Sequence, residues 1–282
     1  TLNNAVFHSY NLSFWVAAAG MVFALIIFRA GEPHLRPMDS ILRRAAAGAP
    51  KSSAGVATSA GSPDALHTAM DKKEERQRIA TLIILFLIVI FFWVAFYQNF
   101  FGLTLFAERS TVVLKWLRPE TYQFFEPFFI LALTPLLLTL FGRLHRAGKE
   151  PSTPVKILLG MLIMSLAMAV MVFASLAGGN RDENIMSPSW LIGTYFIVTL
   201  AEILISPMGQ SFVSKVAPPR IAGLMMGGWY AATAAGSYGS GLLGKSYSHL
   251  AHHEFFLLLA ALMLAAAVLV AVFLRKLKRF AT

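Results

Sequence analysis

The fold class is visible first in residues 188–218, which read PSWLIGTYFIVTLAEILISPMGQSFVSKVAP. Between Trp190 and Val213 the only charged side chain of this stretch is Glu202. A helix needs about 20 mostly apolar residues to cross the hydrocarbon core of a bilayer, which is about 30 Å thick. The stretch is therefore predicted to form a membrane-spanning helix with an acid near its middle.

Similar apolar runs recur along most of the chain. The seven predicted spans are residues 12–28, 79–106, 124–141, 155–176, 190–213, 221–243 and 255–274. Membrane-spanning strands are not predicted, because no ten-residue pattern of alternating hydrophobicity recurs. The chain is therefore expected to be an all-α polytopic membrane protein.

The composition agrees with this prediction and excludes other classes. Of the 282 residues, 57% are hydrophobic and 13% are charged, whereas soluble chains average about 25% charged residues. A soluble enzyme, a nucleic-acid-binding protein and a disordered chain are therefore excluded. The formal net charge of +10 is assigned to loops on the cytoplasmic side of the membrane. Because the chain has no cysteine, disulfides and thiolate metal sites are excluded as well.

The distribution of basic residues predicts the topology. The predicted spans place 19 of the 24 Lys and Arg residues on one side of the membrane. The side richer in Lys and Arg faces the cytoplasm in most membrane proteins. We therefore expect a multi-pass protein of the inner (cytoplasmic) membrane, with the N-terminus of this chain outside and its C-terminus in the cytoplasm. No secretory signal is expected, because no basic segment precedes the first apolar run.

The spans are unevenly distributed and predict three parts. Residues 1–30 are expected to contain a lone transmembrane helix, residues 31–78 a flexible cytoplasmic linker, and residues 79–282 a bundle of six helices. The linker prediction depends on residues 45–65, which are rich in Ala, Ser, Gly and Pro. Six helices after a cytoplasmic linker are half of a twelve-helix transporter.

Glu202 is the strongest candidate for a functional residue, because ionisable side chains inside a membrane are rare and mostly functional. Helical spacing places Ser206 and Gln210 on its face. Pro207 removes a backbone hydrogen bond beside them and is expected to kink the helix. The pattern indicates a water-lined cavity that binds a cationic group or a proton. A protonated Glu202 that only packs against a neighbouring helix is the alternative.

A second group of polar residues lies in the spans 79–106 and 124–141. Glu126 stands near the start of its span, where a site residue and a helix cap favoured by the dipole are equally consistent with the sequence. Gln98 and Asn99 are expected to face the bundle, since lipid offers amide groups no hydrogen-bonding partners.

The span 221–243 has small residues at four-residue spacing, which lets helices approach closely. One row is Gly223, Gly227, Ala231, Ala235 and Gly239, and the other is Gly228, Ala232, Gly236, Ser240 and Gly244. Trp229 is the bulky exception on this helix, with Thr233 one turn further along. The pattern fits a pocket wall as well as an aromatic side chain packed into the groove of a neighbouring helix.

Four segments together resemble the proton-dependent oligopeptide transporter family of the major facilitator superfamily. They are FWVAFYQ at 92–98, PSTPVKILLG at 151–160, the stretch 188–218 already quoted, and GLMMGGWYAATAAGSYGSG at 223–241. The last two are specific because they occur in this order on adjacent helices. The resemblance covers nearly the whole chain and corresponds to the sixth helix plus the C-terminal six-helix half of such a transporter.

The resemblance implies symport of di- and tripeptides with protons moving inward, with no cofactor besides the proton as coupling ion. It implies that Glu202 meets the amino terminus of the peptide and couples this contact to protonation. It also implies that Trp93 and Trp229 line side-chain pockets, and that Ser206 and Thr233 supply polar contacts. The expected partners are small peptides, the lipid bilayer and an N-terminal transporter half, but not nucleic acid.

Two positions differ from the usual pattern of the family. Tyr97 stands where the family has an acid implicated in proton coupling, and Glu126 replaces an Asn. We therefore hypothesise that the acid has moved from one helix to its neighbour, so that Glu126 and Glu202 form the proton-coupling pair. Glu126 and Gln98 complete the predicted substrate-binding residues. The linker is too short for the two extra helices of many bacterial relatives, which predicts the twelve-helix form.

The resemblance also implies that part of the transport machinery lies outside this sequence. The family holds the substrate carboxylate with basic residues of the N-terminal half, and no Lys or Arg is expected within the membrane here. Alternating access requires two halves that move about a midplane site. The chain, as a fragment or as one partner of a split transporter, is therefore expected not to transport alone.

Other functions remain open on the sequence. A related transporter could carry an amino acid, nitrate or a drug-like compound, and seven spans also fit a membrane receptor or a regulatory protein without flux. A retinal protein is excluded, because the span 255–274 has no Lys for a Schiff base. A membrane enzyme is not expected, because two separated Glu residues without His or Asp are not a catalytic constellation.

Overall fold

The computed structural model describes Met21, Val22, Leu25, Ile26 and Arg29, and residues 71–115 and 117–278. The five isolated residues are helical. The rest of the predicted span 12–28, and the predicted linker up to residue 70, lie outside the described residues. All the helices described below belong to one unit, His67–Thr282.

Six predicted spans of the bundle are present as helices, one of them in two pieces. The helices are α1 (Lys72–Phe96), α2 (Gly102–Arg109), α3 (Phe125–Arg146), α4 (Thr153–Ala177), α5 (Pro188–Val216), α6 (Ala222–Gly244) and α7 (His252–Lys278). Short 3-10 turns occupy Tyr97–Asn99, Pro119–Phe124, Pro219–Ile221 and Lys245–Ser248. No strand occurs in the described ranges, which contain two isolated bridges. The all-α fold is confirmed.

The predicted span 79–106 lies within a longer candidate span, Lys72–Arg109, which consists of two helices rather than one. Helix α1 begins at Lys72, where the Asp71 side chain accepts a hydrogen bond from the Lys73 amide at 3.3 Å. The charged first turn is stabilised as a helix because the Asp71 side chain accepts a hydrogen bond from a backbone amide that has no partner within the helix. The helix ends at Phe96 and α2 starts only at Gly102.

Side chains stabilise the break between α1 and α2. The Gly102 amide donates to Oε1 of Gln98 at 3.2 Å, and Oγ1 of Thr104 donates to the Asn99 carbonyl at 2.8 Å. A side chain at Gly102 would also meet the Phe255 ring of α7, 2.6 Å from an added Cβ. The break therefore satisfies its backbone groups locally while α7 packs against it.

Helix α4 lies between α5 and α7, and α1 packs against α6 and α7. Helix α5 also contacts α6, and α3 packs mainly against α5. The shared core is aromatic, aliphatic and rich in Met, including Met161, Met164 and Met171. Only Leu133 and Leu137 are buried on α3, so most of its surface is open in the described part of the chain.

The two rows of small residues on α6 contribute unequally to this packing. The inner row contacts α1 and the turn after it: Gly228 faces Phe86, Gly236 faces Trp93, and Gly244 faces Phe101. In the outer row an added Cβ at Gly223 or Gly227 would meet nothing within 4 Å, whereas one at Gly239 would lie 3.1 Å from Val94 of α1. The prediction of close packing is therefore confirmed for the inner row.

Five segments are long and apolar enough to cross a membrane within the described ranges. They are Lys72–Arg109, Pro119–Arg146, Thr153–Ala177, Pro188–Val216 and His252–Arg275. Helix α6 has sufficient length, but its Gly, Ser and Tyr residues lower its hydropathy. The small residues of α6 thus allow close packing of helices. The same residues lower the mean hydropathy by which a membrane span is recognised.

One basic residue at the start of α4, Lys156, is buried. Lys156 is only 5% exposed, and its Nζ lies 4.2 Å from the centre of the Phe141 ring. The ammonium donates to Oε1 of Glu150, whose other oxygen lies 2.8 Å from Nδ1 of His145. These contacts stabilise the connection between α3 and α4 through the buried ammonium group of Lys156.

Candidate functional site

Glu202 lies near the middle of α5, on the face predicted from the sequence. Ser206 and Gln210 follow it at one-turn intervals, and all three side chains are half-buried. Helix α5 continues through Pro207 without interruption. One carboxylate oxygen of Glu202, Oε2, is buried and has no hydrogen-bonding partner among the described residues. Burying a carboxylate oxygen without a hydrogen bond costs free energy, so binding of a proton or a cationic group to Glu202 is favoured.

Glu126 lies in the first turn of α3 and is half-buried, but its carboxylate has a donor. Nδ2 of Asn99 donates a hydrogen bond to Oε2 of Glu126. Asn99 itself is fully buried, and its carbonyl accepts a hydrogen bond from the Tyr195 hydroxyl at 3.2 Å. Helix α5 and the break after α1 therefore hold the residue that orients Glu126.

The two glutamates belong to one neighbourhood. Glu126 and Glu202 interact electrostatically with each other, and both interact with the Tyr97 hydroxyl in the 3-10 turn. The start of α3, the middle of α5 and the break after α1 therefore converge. Tyr97, where the resemblance implies an acid, therefore belongs to the same neighbourhood as both glutamates.

Gln98 is placed differently from the substrate-binding role predicted for it. It is fully buried, as expected for a side chain facing the bundle. Its Nε2 donates to the Ser240 carbonyl at 3.0 Å, and its Oε1 accepts from the Gly102 amide. Both amide atoms thus join α6 to the break after α1, and contact between Gln98 and substrate stays a prediction.

The two predicted pocket tryptophans are packed between helices. Trp229 is 1% exposed, and its indole lies against Gly209 of α5. Trp93 is 5% exposed and contacts Gly236, with its ring 5.6 Å from that of Tyr97. The structure therefore favours the interpretation of Trp229 as an aromatic side chain packed into a neighbouring helix. Lining of a substrate pocket by either indole stays a prediction.

The two predicted hydroxyl contacts lie on different helices. Thr233 is half-buried and donates a hydrogen bond to the Trp229 carbonyl of its own helix at 3.1 Å. Ser206 is half-buried one turn after Glu202. Of the predicted residues, the structure therefore brings Glu202 and Ser206 together on one face, with Glu126 nearby.

Three residues beside the site were not among the predicted ones. Asn99 is the donor to Glu126, Tyr195 holds the Asn99 carbonyl, and Gly209 makes room for Trp229. Tyr195 stands two turns before Glu202 on α5, so helical spacing could have identified it. No sequence signal pairs Asn99 with an acid 27 positions away. In the described ranges no three His, Asp or Glu side chains converge to hold a metal ion.

The fold and this neighbourhood define the class: a helical multi-pass membrane protein with two interacting acids inside the bundle. A family model described as the POT family matches residues 51–256. Because the match covers well over half of the chain, the chain belongs to the POT family.

Individual relatives agree with this assignment. The peptide transporter YePEPT of Yersinia enterocolitica is 31% identical over 61% of this chain and 34% of its own length. Dipeptide and tripeptide permease A of Escherichia coli is 30% identical over 61% of this chain and 35% of its own length. This chain thus aligns with about one third of the length of these curated relatives.

The fold is also similar to that of solved transporters. The crystal structure of the peptide transporter POT in complex with sulfate superimposes with a TM-score of 0.68 at 26% identity. The superposition covers 76% of this chain and 43% of that one. A mutant of peptide transporter POT in complex with alafosfalin gives the same TM-score over 44% of its chain. The six-helix bundle is therefore confirmed as the fold of one part of a major facilitator superfamily transporter.

Proposed function

We propose that this chain supplies the C-terminal half of a proton-coupled symporter of di- and tripeptides. Membership of the POT family and relatives named as peptide transporters support the substrate class. The observation that carries the proposal is the buried, unpaired carboxylate oxygen of Glu202 on a half-buried polar face. Such a group binds a peptide ammonium or a proton far better than a group already paired within the fold.

Charge complementarity provides the coupling. An ionised Glu202 attracts the amino terminus of the peptide, and a proton on the same carboxylate removes that attraction. Glu126 is close enough to interact with Glu202, so the charge of either acid opposes ionisation of the other. Proton entry at one of the two acids therefore changes the hold of the other on the substrate.

The mechanism requires a second half facing this one. The N-terminal half would hold the peptide carboxylate and complete the cavity, and the two halves would rock about the site. In the proposed topology the chain crosses the inner membrane with its C-terminus in the cytoplasm. No chemical step and no cofactor are involved, since the proton is the coupling ion.

Uptake by reconstituted protein tests the proposal. The chain is placed in liposomes either alone or with the other five helices of the N-terminal half, and labelled dipeptide uptake is measured with and without an inward proton gradient. Gradient-dependent uptake is expected only when both halves are present. Uptake by the chain alone would contradict the need for a second half.

Competition in counterflow identifies the substrate class. Unlabelled dipeptide and tripeptide are expected to compete with labelled dipeptide, whereas a free amino acid, nitrate and a drug-like cation are not. Competition by one of these compounds instead of peptides would replace the peptide assignment. A chain that exchanges none of them, although both halves are present and folded, would fit a receptor or a regulatory protein.

A further inference from the structure

A basic groove at one end of the bundle has no role in the transport site. It lies on the first turns of α1, has a volume of about 480 Å³, and is lined by Lys72, Lys73, Arg76, Gln77 and Ala80. All of these side chains except Gln77 are exposed. The groove thus presents three cations to the surroundings of the protein.

The charges of this segment are unevenly distributed around the helix. At 100° per residue, the three cations of the groove occupy one side of α1, and Glu74 occupies the other. Glu74 is paired with Arg78, at 2.8 Å. Because Glu74 is paired with Arg78, the three cations of the groove outnumber the neighbouring glutamate, Glu75, which lies one turn from Lys72.

The groove continues directly into an exposed apolar surface. Ile83 is 48% exposed and Leu87 is 58% exposed. Helical spacing places both on the same face of α1 as Lys72, Arg76 and Ala80. This face is therefore basic at one end and apolar along the rest. It is complementary to a molecule that has an anionic head and an apolar tail.

The end of the neighbouring helix α7 lies close to the start of α1. Thr81 and Ile84 of α1 lie against Phe273 and Leu277 of α7, so the last turn of α7 ends beside the first apolar turn of α1. The sequence of that last turn, residues 275–278, is RKLK. Basic residues beside the end of a span are typical of the membrane–water interface.

We propose that this face of α1 is a binding site for an anionic phospholipid. The lipid phosphate contacts Lys72, Lys73 and Arg76, and an acyl chain lies along Ile83 and Leu87. Clustered Lys and Arg at the end of a span attract anionic lipid headgroups. The apolar continuation favours a lipid over a free phosphate ion, which would gain nothing from it.

Spin-labelled lipids in proteoliposomes test the site. The full chain is reconstituted in phosphatidylcholine with a trace of spin-labelled phosphatidylglycerol or phosphatidylcholine, and the motionally restricted fraction is measured. We expect about a threefold preference for the phosphatidylglycerol label, which decreases as salt is added. In the triple variant Lys72→Gln, Lys73→Gln, Arg76→Gln the preference is expected to disappear.

A second triple variant, Arg143→Gln, Arg146→Gln, Lys149→Gln, is the matched control. It removes the same charge from the same end of the bundle but leaves the groove intact, so the preference is expected to remain. The charge-conserving variant Lys72→Arg, Lys73→Arg, Arg76→Lys should also keep it. Circular dichroism confirms that each variant retains its helices.

Several results would overturn the lipid site. Equal loss of preference in both triple variants would show attraction by net charge alone. An unchanged preference in the first variant would place the lipid elsewhere. Displacement of the label by an excess of inorganic phosphate, at constant ionic strength, would reassign the groove to a soluble anion.

Discussion

Glu126 and Glu202 are both acids inside predicted membrane spans, yet the structure treats them differently. Glu126 accepts a hydrogen bond from Asn99, which is itself fixed by Tyr195 and Thr104. Glu202 has one carboxylate oxygen buried without a partner among the described residues.

The difference shows which of the two carboxylates already has a hydrogen-bonding partner within the fold. An unpaired buried carboxylate destabilises the fold by several kcal/mol unless something completes it. The partner of Glu126 comes from the protein itself, whereas Glu202 must obtain one from substrate, a proton or the second half. We therefore propose that Glu202 contacts the peptide and that Glu126 modulates the charge of Glu202.

The largest expected effect concerns the support of Glu202 rather than its charge. Gly209 lies two turns after Glu202 on α5, and the Trp229 indole occupies the space of a side chain there. Gly209→Ala should lower the free energy of unfolding by about 3 kcal/mol through overpacking, measured by denaturant unfolding in detergent. Gly193→Ala, on the same helix with nothing within 4 Å, is the control. Equal stability of the two variants would mean that Trp229 does not pack there.

The next effect separates the two acids directly. Glu202→Gln keeps the shape of the side chain but cannot bear charge, so proton-driven peptide uptake by the complete transporter should fall at least about tenfold, equivalent to about 1.4 kcal/mol. Glu126→Gln should reduce uptake less and change its pH dependence. Unchanged uptake by Glu126→Gln at every pH would refute the migration of the acid, and full activity of Glu202→Gln would reverse the assignment.

A reversal experiment sharpens the role of Glu126. Glu126→Asn removes one of the two acids, and adding Tyr97→Glu returns an acid to the position that the family usually uses. Since Tyr97 already interacts with both acids, the double variant should recover about half of the uptake that the single variant loses. Tyr97→Gln combined with Glu126→Asn is the uncharged control. Failure of the glutamate variant to exceed this control would show that position 97 cannot replace position 126.

The hydrogen bond from Asn99 should be measurable on its own. In a double-mutant cycle of Asn99→Leu and Glu126→Leu, the free energies of unfolding should deviate from additivity by about 1 kcal/mol. Asn99 also contacts Glu126 only through its side chain, so Asn99→Leu leaves the backbone contacts of Tyr195 and Thr104 possible. Strict additivity would contradict a direct bond between the two side chains.

The smallest effect extends the comparison to an acid outside the spans. Hydrogen bonds from Lys156 and His145 lower the pKa of Glu150 below its ordinary value of 4.5. A lowered pKa stabilises the fold above the ordinary value, and this stabilisation is lost as the pH falls through the lowered one. Thermal unfolding of Glu150→Gln should therefore depend less on pH below about 4.5 than that of the unaltered chain. Parallel curves would show that Glu150 is not paired in solution.

The sequence predicted the bundle well, because hydropathy over about 20 residues reports a local requirement of the membrane. The ends of helices α3 to α7 agree with those of the predicted spans to within a few residues, except that α3 extends five residues further at its C-terminal end. The break at Tyr97–Asn99 was missed, because no Pro or Gly interrupts FWVAFYQN and the apolar run continues past it. That break depends on hydrogen bonds from side chains and on the ring of Phe255.

For the site, the sequence alone determined that Glu202, Ser206 and Gln210 share a face, because helical periodicity requires no neighbour. It also determined that α6 carries two rows of small residues. Only the tertiary structure decided which row of small residues packs mainly against α1, and that Asn99 donates a hydrogen bond to Glu126. It also decided that one carboxylate oxygen of Glu202 has no partner among the described residues. These features depend on contacts between residues distant along the chain, and such contacts form only when whole helices pack against one another.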